Sequence, residues 1–170
     1  MPRSPKRAIN DCACYRRSIG RSVPRQRPFR RGPLQCRLPF ADIFKLNEDE
    51  LETIRQLLDR PGPPDAFAGY LMNHYGISIL AVTRGAAGSS IFHTDGRIEA
   101  PAPPTVSVVD TVGAGDGYSA MLALGVMRRL AMAHTAAVAG QFAAGICQIP
   151  GAVPEDPRFY DPWKPGLIAT

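Results

Sequence analysis

The sequence predicts an α/β fold built on a largely parallel sheet, and three observations carry that expectation. Beyond residue 40, short apolar runs alternate with segments of helical periodicity, the pattern of strands and helices stacked in layers. An Asp95-Gly96 pair between two short runs marks a small β-hairpin, an antiparallel excursion from that sheet. At 110–116 an extended run ends in a glycine turn that opens a helix, which is where ligands sit in open α/β sheets.

Strands are expected over 43–46, 77–83, 89–93, 97–100 and 105–109, and helices over 48–59, 65–75, 114–131 and 135–147. In the first helix Leu51, Ile54, Leu57 and Leu58 recur at helical spacing and make a stripe for the core. Pro61-Gly62-Pro63-Pro64 can continue neither flanking helix, so the first two helices are separate elements. Pro101, Pro103 and Pro104 mark the approach to the last strand. The last helix carries Gly140, Ala143, Ala144 and Gly145, small residues that permit close packing. No internal repeat occurs, and no apolar run is long enough to cross a bilayer.

The run Asp110-Thr111-Val112-Gly113-Ala114-Gly115-Asp116 has the chemistry of a phosphate cradle with a base beside it. Glycines let the backbone turn sharply and come close to a ligand. Amides that open a helix lack intrahelical partners, and the helix dipole adds positive charge there. Asp116 in the first turn lies where a carboxylate accepts a proton from an attacking alcohol. The same residues also suit an ordinary strand–turn–helix with an acidic first turn.

This run resembles, at every position, the second signature of the PfkB (ribokinase-like) carbohydrate kinases, Asp-Thr-x-Gly-Ala-Gly-Asp. The resemblance implies a ribokinase-like three-layer α/β/α fold with a mostly parallel sheet. It implies phosphoryl transfer from ATP with Mg²⁺ to a primary hydroxyl of a sugar. Asp116 is then the catalytic base, Gly113, Ala114 and Gly115 form the anion hole, and Thr111 borders ATP.

Two further blocks add to it. Asn47 and Glu50, in Phe44-Lys45-Leu46-Asn47-Glu48-Asp49-Glu50-Leu51, make a capping box on local chemistry alone. The block also resembles the family's Asn-x-x-Glu segment, which implies that the pair shapes the water shell of Mg²⁺. Thr83, Gly85 and Gly88 follow an apolar strand and read locally as turn residues. Their resemblance to the family's Thr-x-Gly turn implies contacts with ATP, while Arg84 faces either phosphates or solvent. By the same resemblance the helix from Ala136 lies beside the adenine. Asp110, with Gly151 and the backbone at Val112, would hold a monovalent cation such as K⁺. The late loop departs from the family pattern, with Glu155 and Asp156 after Pro154 where a small polar residue is usual.

Residues 1–39 differ in composition. They hold ten Arg and one Lys against one acid, a formal +10, whereas the remainder has nine basic and fourteen acidic residues, or −5, recovering the +5 of the whole. Six prolines and little apolar periodicity argue against a packed core there. Three readings stand: a tether for nucleic acid or an acidic surface, an organelle transit peptide, or non-family sequence from a shifted reading frame. The third is the preferred expectation, because the resemblance starts abruptly near Phe40. Nucleic acid is otherwise not an expected partner, and neither is a membrane.

The resemblance covers 40–163, the nucleotide side of the family fold, so a division into 1–39 and a partial kinase domain over 40–170 is expected. The sugar pocket and lid of the family lie in a part with no counterpart before Phe40. A sheet divided there exposes an edge strand, and self-association or a completing polypeptide follows as an expectation. The cysteines are too sparse for a zinc site, Cys147 reads as a buried thiol, and the absence of a secretion signal suits a reducing, cytoplasmic setting. His74, His93 and His134 are isolated, and Tyr160 and Trp163 read as packing residues. The look is nearest to fructokinase and 2-keto-3-deoxygluconate kinase, with nucleoside kinases sharing the signature. The rival expectation is a kinase remnant or nucleotide-binding module without turnover of its own.

Overall fold

The computed structural model describes residues 38–104 and 107–164; the basic segment 1–37 and the expected start of a fifth strand at 105–106 lie outside the described residues. A four-stranded sheet runs in the order β1 (Ile43–Asn47), β2 (Ile79–Thr83), β3 (Ser89–His93) and β4 (Gly96–Ala100). β1 and β2 are parallel, with Ile43 opposite Ile79 and Asn47 opposite Thr83. β2–β3 and β3–β4 are antiparallel. The described sheet is thus mixed, one parallel pair and two antiparallel pairs, where a mostly parallel one was expected. The connections decide this. A short 3₁₀ turn, Gly85–Ala87, reverses the chain after β2, and a turn at Thr94-Asp95 reverses it after β3. Links this short join only antiparallel strands, whereas β1 and β2 are separated by two helices.

Those helices are α1 (Glu48–Leu57) and α2 (Pro64–Tyr75), and after the sheet come α3 (Ala114–Met127) and α4 (Met132–Ile146). The alternation of side chains along β2 divides the core in two. Leu80 and Val82 join Leu46, Leu51, Ile54 and Leu71 under α1 and α2. Ile79 and Ala81 join Ile91, Leu122, Ala139 and Phe142 under α3 and α4. The result is the three-layer α/β/α arrangement. Leu38, in a short 3₁₀ turn before β1, is buried in the first of these clusters.

Three helix boundaries move by two residues or more. α1 stops at Leu57 because Asp59 turns left-handed (φ 51°) and the Arg60 amide returns to the Arg55 carbonyl. α3 stops at Met127 for the same reason, with Arg129 at φ 57° and the Leu130 amide on the Gly125 carbonyl. α4 consequently starts earlier, at Met132. The fifth strand does not form over its described residues, 107–109. Val108 and Val109 are 61% and 59% exposed, and the Val109 and Asp110 amides donate to the Cys147 carbonyl at the end of α4 instead of to a strand.

A terminal 3₁₀ segment, Pro157–Trp163, closes over α4, its Phe159, Tyr160 and Trp163 rings 5.4–6.2 Å from the Phe142 ring. Tyr160 and Trp163 are packing residues, as their sequence context suggested. No described helix is long and apolar enough to cross a membrane.

Candidate active site

The carboxyl ends of β1 and β2 supply the first wall of the site. Asn47 ends β1 and caps α1, accepting the Glu50 amide on Oδ1 at 2.7 Å while its own amide donates to Glu50 Oε2 at 2.8 Å. The reciprocal capping box is complete, so this pair has a full structural role before any ligand is considered. Opposite Asn47, the Thr83 hydroxyl donates to the Leu46 carbonyl at 3.3 Å. Strand periodicity places Lys45 on the same face of β1 as Asn47.

The second wall is the start of α3. Gly113 caps it in the left-handed region, φ 86°. A Cβ there would fall 2.7 Å from Cα of Ala152, so the position demands glycine twice over, for its backbone and for its space. The Ala114 amide reaches back to the Thr111 carbonyl at 3.3 Å, and the Gly117 amide to the Gly113 carbonyl at 2.8 Å. Between them the amides of Gly115 and Asp116 open the first turn, at the positive end of the helix dipole. Asp116 is the third residue of α3, and its side chain is exposed. The Lys45 ammonium meets this turn: a Cβ built on Gly115 would lie 3.0 Å from Lys45 Nζ.

Asp110 braces the loop between the walls. Its Oδ1 accepts the Val112 amide at 3.0 Å and its Oδ2 the Gly151 amide at 3.2 Å. These amide bonds, Val112 first and then Gly151 and Thr111, hold its carboxyl below the usual aspartate range against a smaller opposing effect of burial. The structure therefore brings together Asp110, Val112 and Gly151, the three positions expected to share a cation.

Both walls open onto one cleft of about 420 Å³. Its polar end carries Lys45, Asn47, Thr83, Thr111 and Gly115, and Gly85 and Gly88 line it beside β2. Its other end is apolar, formed by 101–103, Val108 and the small residues Gly140, Ala143 and Ala144 of α4. Tyr118 and Ser89 lie in its floor, both buried, with a 2.8 Å hydrogen bond between their hydroxyls. Burial pushes the Tyr118 phenol up, opposed by the Ser89 bond, so it stays protonated at neutral pH.

Gly113, Asp110, Asp116 and Glu50 do not line this cleft. Cys147, expected buried, is only partly so and faces the cleft. Arg84 turns away from it: its guanidinium bonds Ser90 and, at 2.6 Å, Glu99 on the hairpin. Lys45, Ser89 and Tyr118 were not singled out from sequence. Alternation along β1 was the available signal for Lys45, which shares the face of Asn47, and helical spacing from Gly115 to Tyr118 was the signal for the tyrosine. Among the described residues, no group of three or more His, Cys, Asp or Glu is placed to hold a metal ion.

The chain matches the pfkB family carbohydrate kinases over residues 7–157, a stretch that reaches into the basic segment. A fructokinase of Rhizobium leguminosarum bv. trifolii is 36% identical over 80 residues, which is 47% of this chain and 23% of the relative. Aminoimidazole riboside kinase from Salmonella enterica, solved with aminoimidazole riboside and an ATP analogue, superposes with a TM-score of 0.61 at 27% identity, over 79% of this chain and 44% of that one. Ribokinase of Arabidopsis thaliana, solved with ribose and ATP, superposes with a TM-score of 0.64 at 24% identity, over 78% and 43%. The chain thus spans less than half the length of the proteins it matches. With the family match covering most of the sequence and the ribokinase-like fold present, the chain belongs to the pfkB family of carbohydrate kinases.

Proposed function

We propose that this chain carries the ATP side of a sugar kinase, binding Mg-ATP in the cleft and directing the γ-phosphoryl group to a hydroxyl of a small sugar, with fructose the first choice. One observation carries the reading: Asn47, Thr83, Gly85, Gly88, Thr111 and Gly115, from three separate stretches of sequence, converge on a single cleft that ends at a helix N-terminus. The ATP analogue bound by the riboside kinase of the same fold supports a nucleotide there, and the fructokinase relative supports the sugar.

In this reading the sugar hydroxyl gives its proton to the Asp116 carboxylate as its oxygen bonds to the γ-phosphorus. The bond from that phosphorus to the bridging oxygen breaks, and ADP leaves. The first-turn amides at Gly113–Gly115, that of Ala114 on leaving its 3.3 Å bond to the Thr111 carbonyl, offset charge on the phosphoryl oxygens, the kind of stabilisation that dominates many enzymes. The apolar end of the cleft, beside α4, takes the base.

Mg²⁺, when bound, neutralises phosphate charge. The described donors suit it through water, because Asn47 and Glu50 offer one wall of oxygens already shared with backbone amides and no cage of carboxylates. Asp110 suits a monovalent cation such as K⁺, its ionised oxygens standing beside the backbone of Val112 and Gly151.

The limited coverage of its relatives favours a second reading, a nucleotide-binding module that turns over only with a completing polypeptide or a second copy. A coupled ADP-release assay with Mg-ATP and fructose, ribose, 2-keto-3-deoxygluconate or adenosine separates the two. The kinase reading expects fructose-dependent release, abolished in Asp116→Asn with ATP binding kept. Release by Asp116→Asn at the wild-type rate removes the base assignment, and ATP binding without release for any acceptor selects the module.

A further inference from the structure

Lys45 stands in the wall of the cleft beside the start of α3. It leaves the middle of β1 on the side of the sheet covered by α3 and α4, opposite Ala81, whose small side chain leaves its stem room. Its ammonium reaches the first turn of α3, 3.0 Å from the point where a Cβ on Gly115 would be. It is partly buried, and it forms no ion pair or hydrogen bond with any described residue. A cation gains at a helix C-terminus and loses at an N-terminus. Here an ammonium without a carboxylate is aimed at the positive end of α3, in the wall of the cleft. Two positive features converging on one polar point, with solvent partly excluded, are stabilised together by an anion placed between them. A structural lysine would be expected to pair with Asp or Glu, and this one, in the wall of the cleft, pairs with none among the described residues.

We propose that Lys45 is a catalytic residue of this chain, its ammonium contacting the transferring phosphoryl group from the side opposite the α3 amides, and that Gly115 is glycine partly to let it in. The inference rests on the nucleotide reading above and deepens it. The flexible lysine supplies full charge, which the fixed amides cannot, and it follows the phosphoryl oxygens as they move from ADP toward the acceptor. An alanine at Gly115 would press its Cβ on the lysine tip and displace it from that position.

Calorimetric titration of the full chain with Mg-ATP and, separately, with adenosine tests this on Lys45→Met, which keeps the stem and loses the charge, and on Lys45→Arg. Lys45→Met is expected to weaken Mg-ATP by at least about tenfold, the loss of one charge-assisted bond, with adenosine within about twofold of wild type. Lys45→Arg is expected to restore part of the Mg-ATP affinity, and the affinity of Lys45→Met is expected to fall less steeply with added salt. The loss caused by Gly115→Ala is expected to shrink in the Lys45→Met background, since both act through one contact. Equal binding of Mg-ATP by wild type and Lys45→Met overturns the role of the lysine while the nucleotide reading stands. Equal losses for Mg-ATP and adenosine in both variants make it a structural residue and overturn the proposal too. A wild-type chain that binds neither ligand overturns the nucleotide reading, and this inference with it.

Discussion

The Asp110 carboxylate holds Gly151 across 41 positions of sequence, its Oδ2 accepting that amide at 3.2 Å while Oδ1 takes the amide of Val112 at 3.0 Å. One side chain thus ties the loop that opens α3 to the turn that follows α4. The two helices are already packed closely, with Gly125 of α3 against Thr135 of α4. Asp110 extends that packing to the glycine loop.

The amide bonds lower the carboxyl of Asp110, so its contribution to stability has a defined pH window. A group with a lowered folded-state value stabilises the fold above its unfolded value, about 3.9 for Asp, and that stabilisation is lost as pH falls through the folded value. Asp110→Asn is therefore expected to melt below wild type at pH 7, and the gap between the two melting curves is expected to narrow as pH falls below the unfolded value. Thermal unfolding followed by circular dichroism across pH 7 to 3 checks this. A gap that persists unchanged into acid would mean the side chain acts by shape alone.

Gly113 gives a sharper expectation, because its cost has two separable parts. Alanine there must adopt φ 86°, for about 1–2 kcal/mol, and its Cβ must displace the backbone of Ala152, at a typical 1–3 kcal/mol for overpacking. Gly76, at φ 74° with nothing within 4 Å of its Cβ position, carries only the first part. Urea unfolding should show Gly113→Ala destabilised by roughly 2–5 kcal/mol and Gly76→Ala by about 1–2 kcal/mol. Equal losses would show that the Ala152 backbone yields freely. In that case the glycine loop is not held as rigidly as an anion hole requires.

The sequence made the layers legible where local chemistry and tertiary demand agree. Of the expected stripe Leu51, Ile54 and Leu58 are buried and Leu57 only partly so, and the capping box at Asn47 and Glu50 forms in full. The glycine turn before α3 was legible because only glycine tolerates both φ 86° and contact with Ala152. What failed depended on partners distant in sequence. Val108 and Val109 have strand propensity, but the Cys147 carbonyl takes the amides of Val109 and Asp110, so the expected fifth strand does not form over 107–109. Arg84 looked equally suited to phosphate or solvent until Glu99 and Ser90, on the neighbouring strands, claimed it. Lys45 was hidden by its surroundings: one lysine in a short apolar strand before a helix cap reads as a strand residue facing solvent, and its nearness to Gly115 depends on α3, far along the sequence.

Asn47 is the residue at which structure and proposed function compete for the same atoms. Its Oδ1 caps α1, so Asn47→Ala is expected to cost about 0.5–2 kcal/mol whether or not the chain binds Mg-ATP. That variant alone distinguishes nothing. Serine caps about as well as asparagine, accepting the same Glu50 amide with a shorter side chain, but it lacks the amide group and its reach toward the cleft. Asn47→Ser is therefore expected to unfold within about 0.5 kcal/mol of wild type. If the asparagine orders water around Mg²⁺, the same variant should weaken Mg-ATP severalfold in calorimetry, with adenosine affinity unchanged. An Asn47→Ser chain that matches wild type both in urea unfolding and in Mg-ATP affinity would reduce the residue to a helix cap. The cation would then be left to the phosphates, to water and to Glu50, whose Oε2 is already engaged by the Asn47 amide.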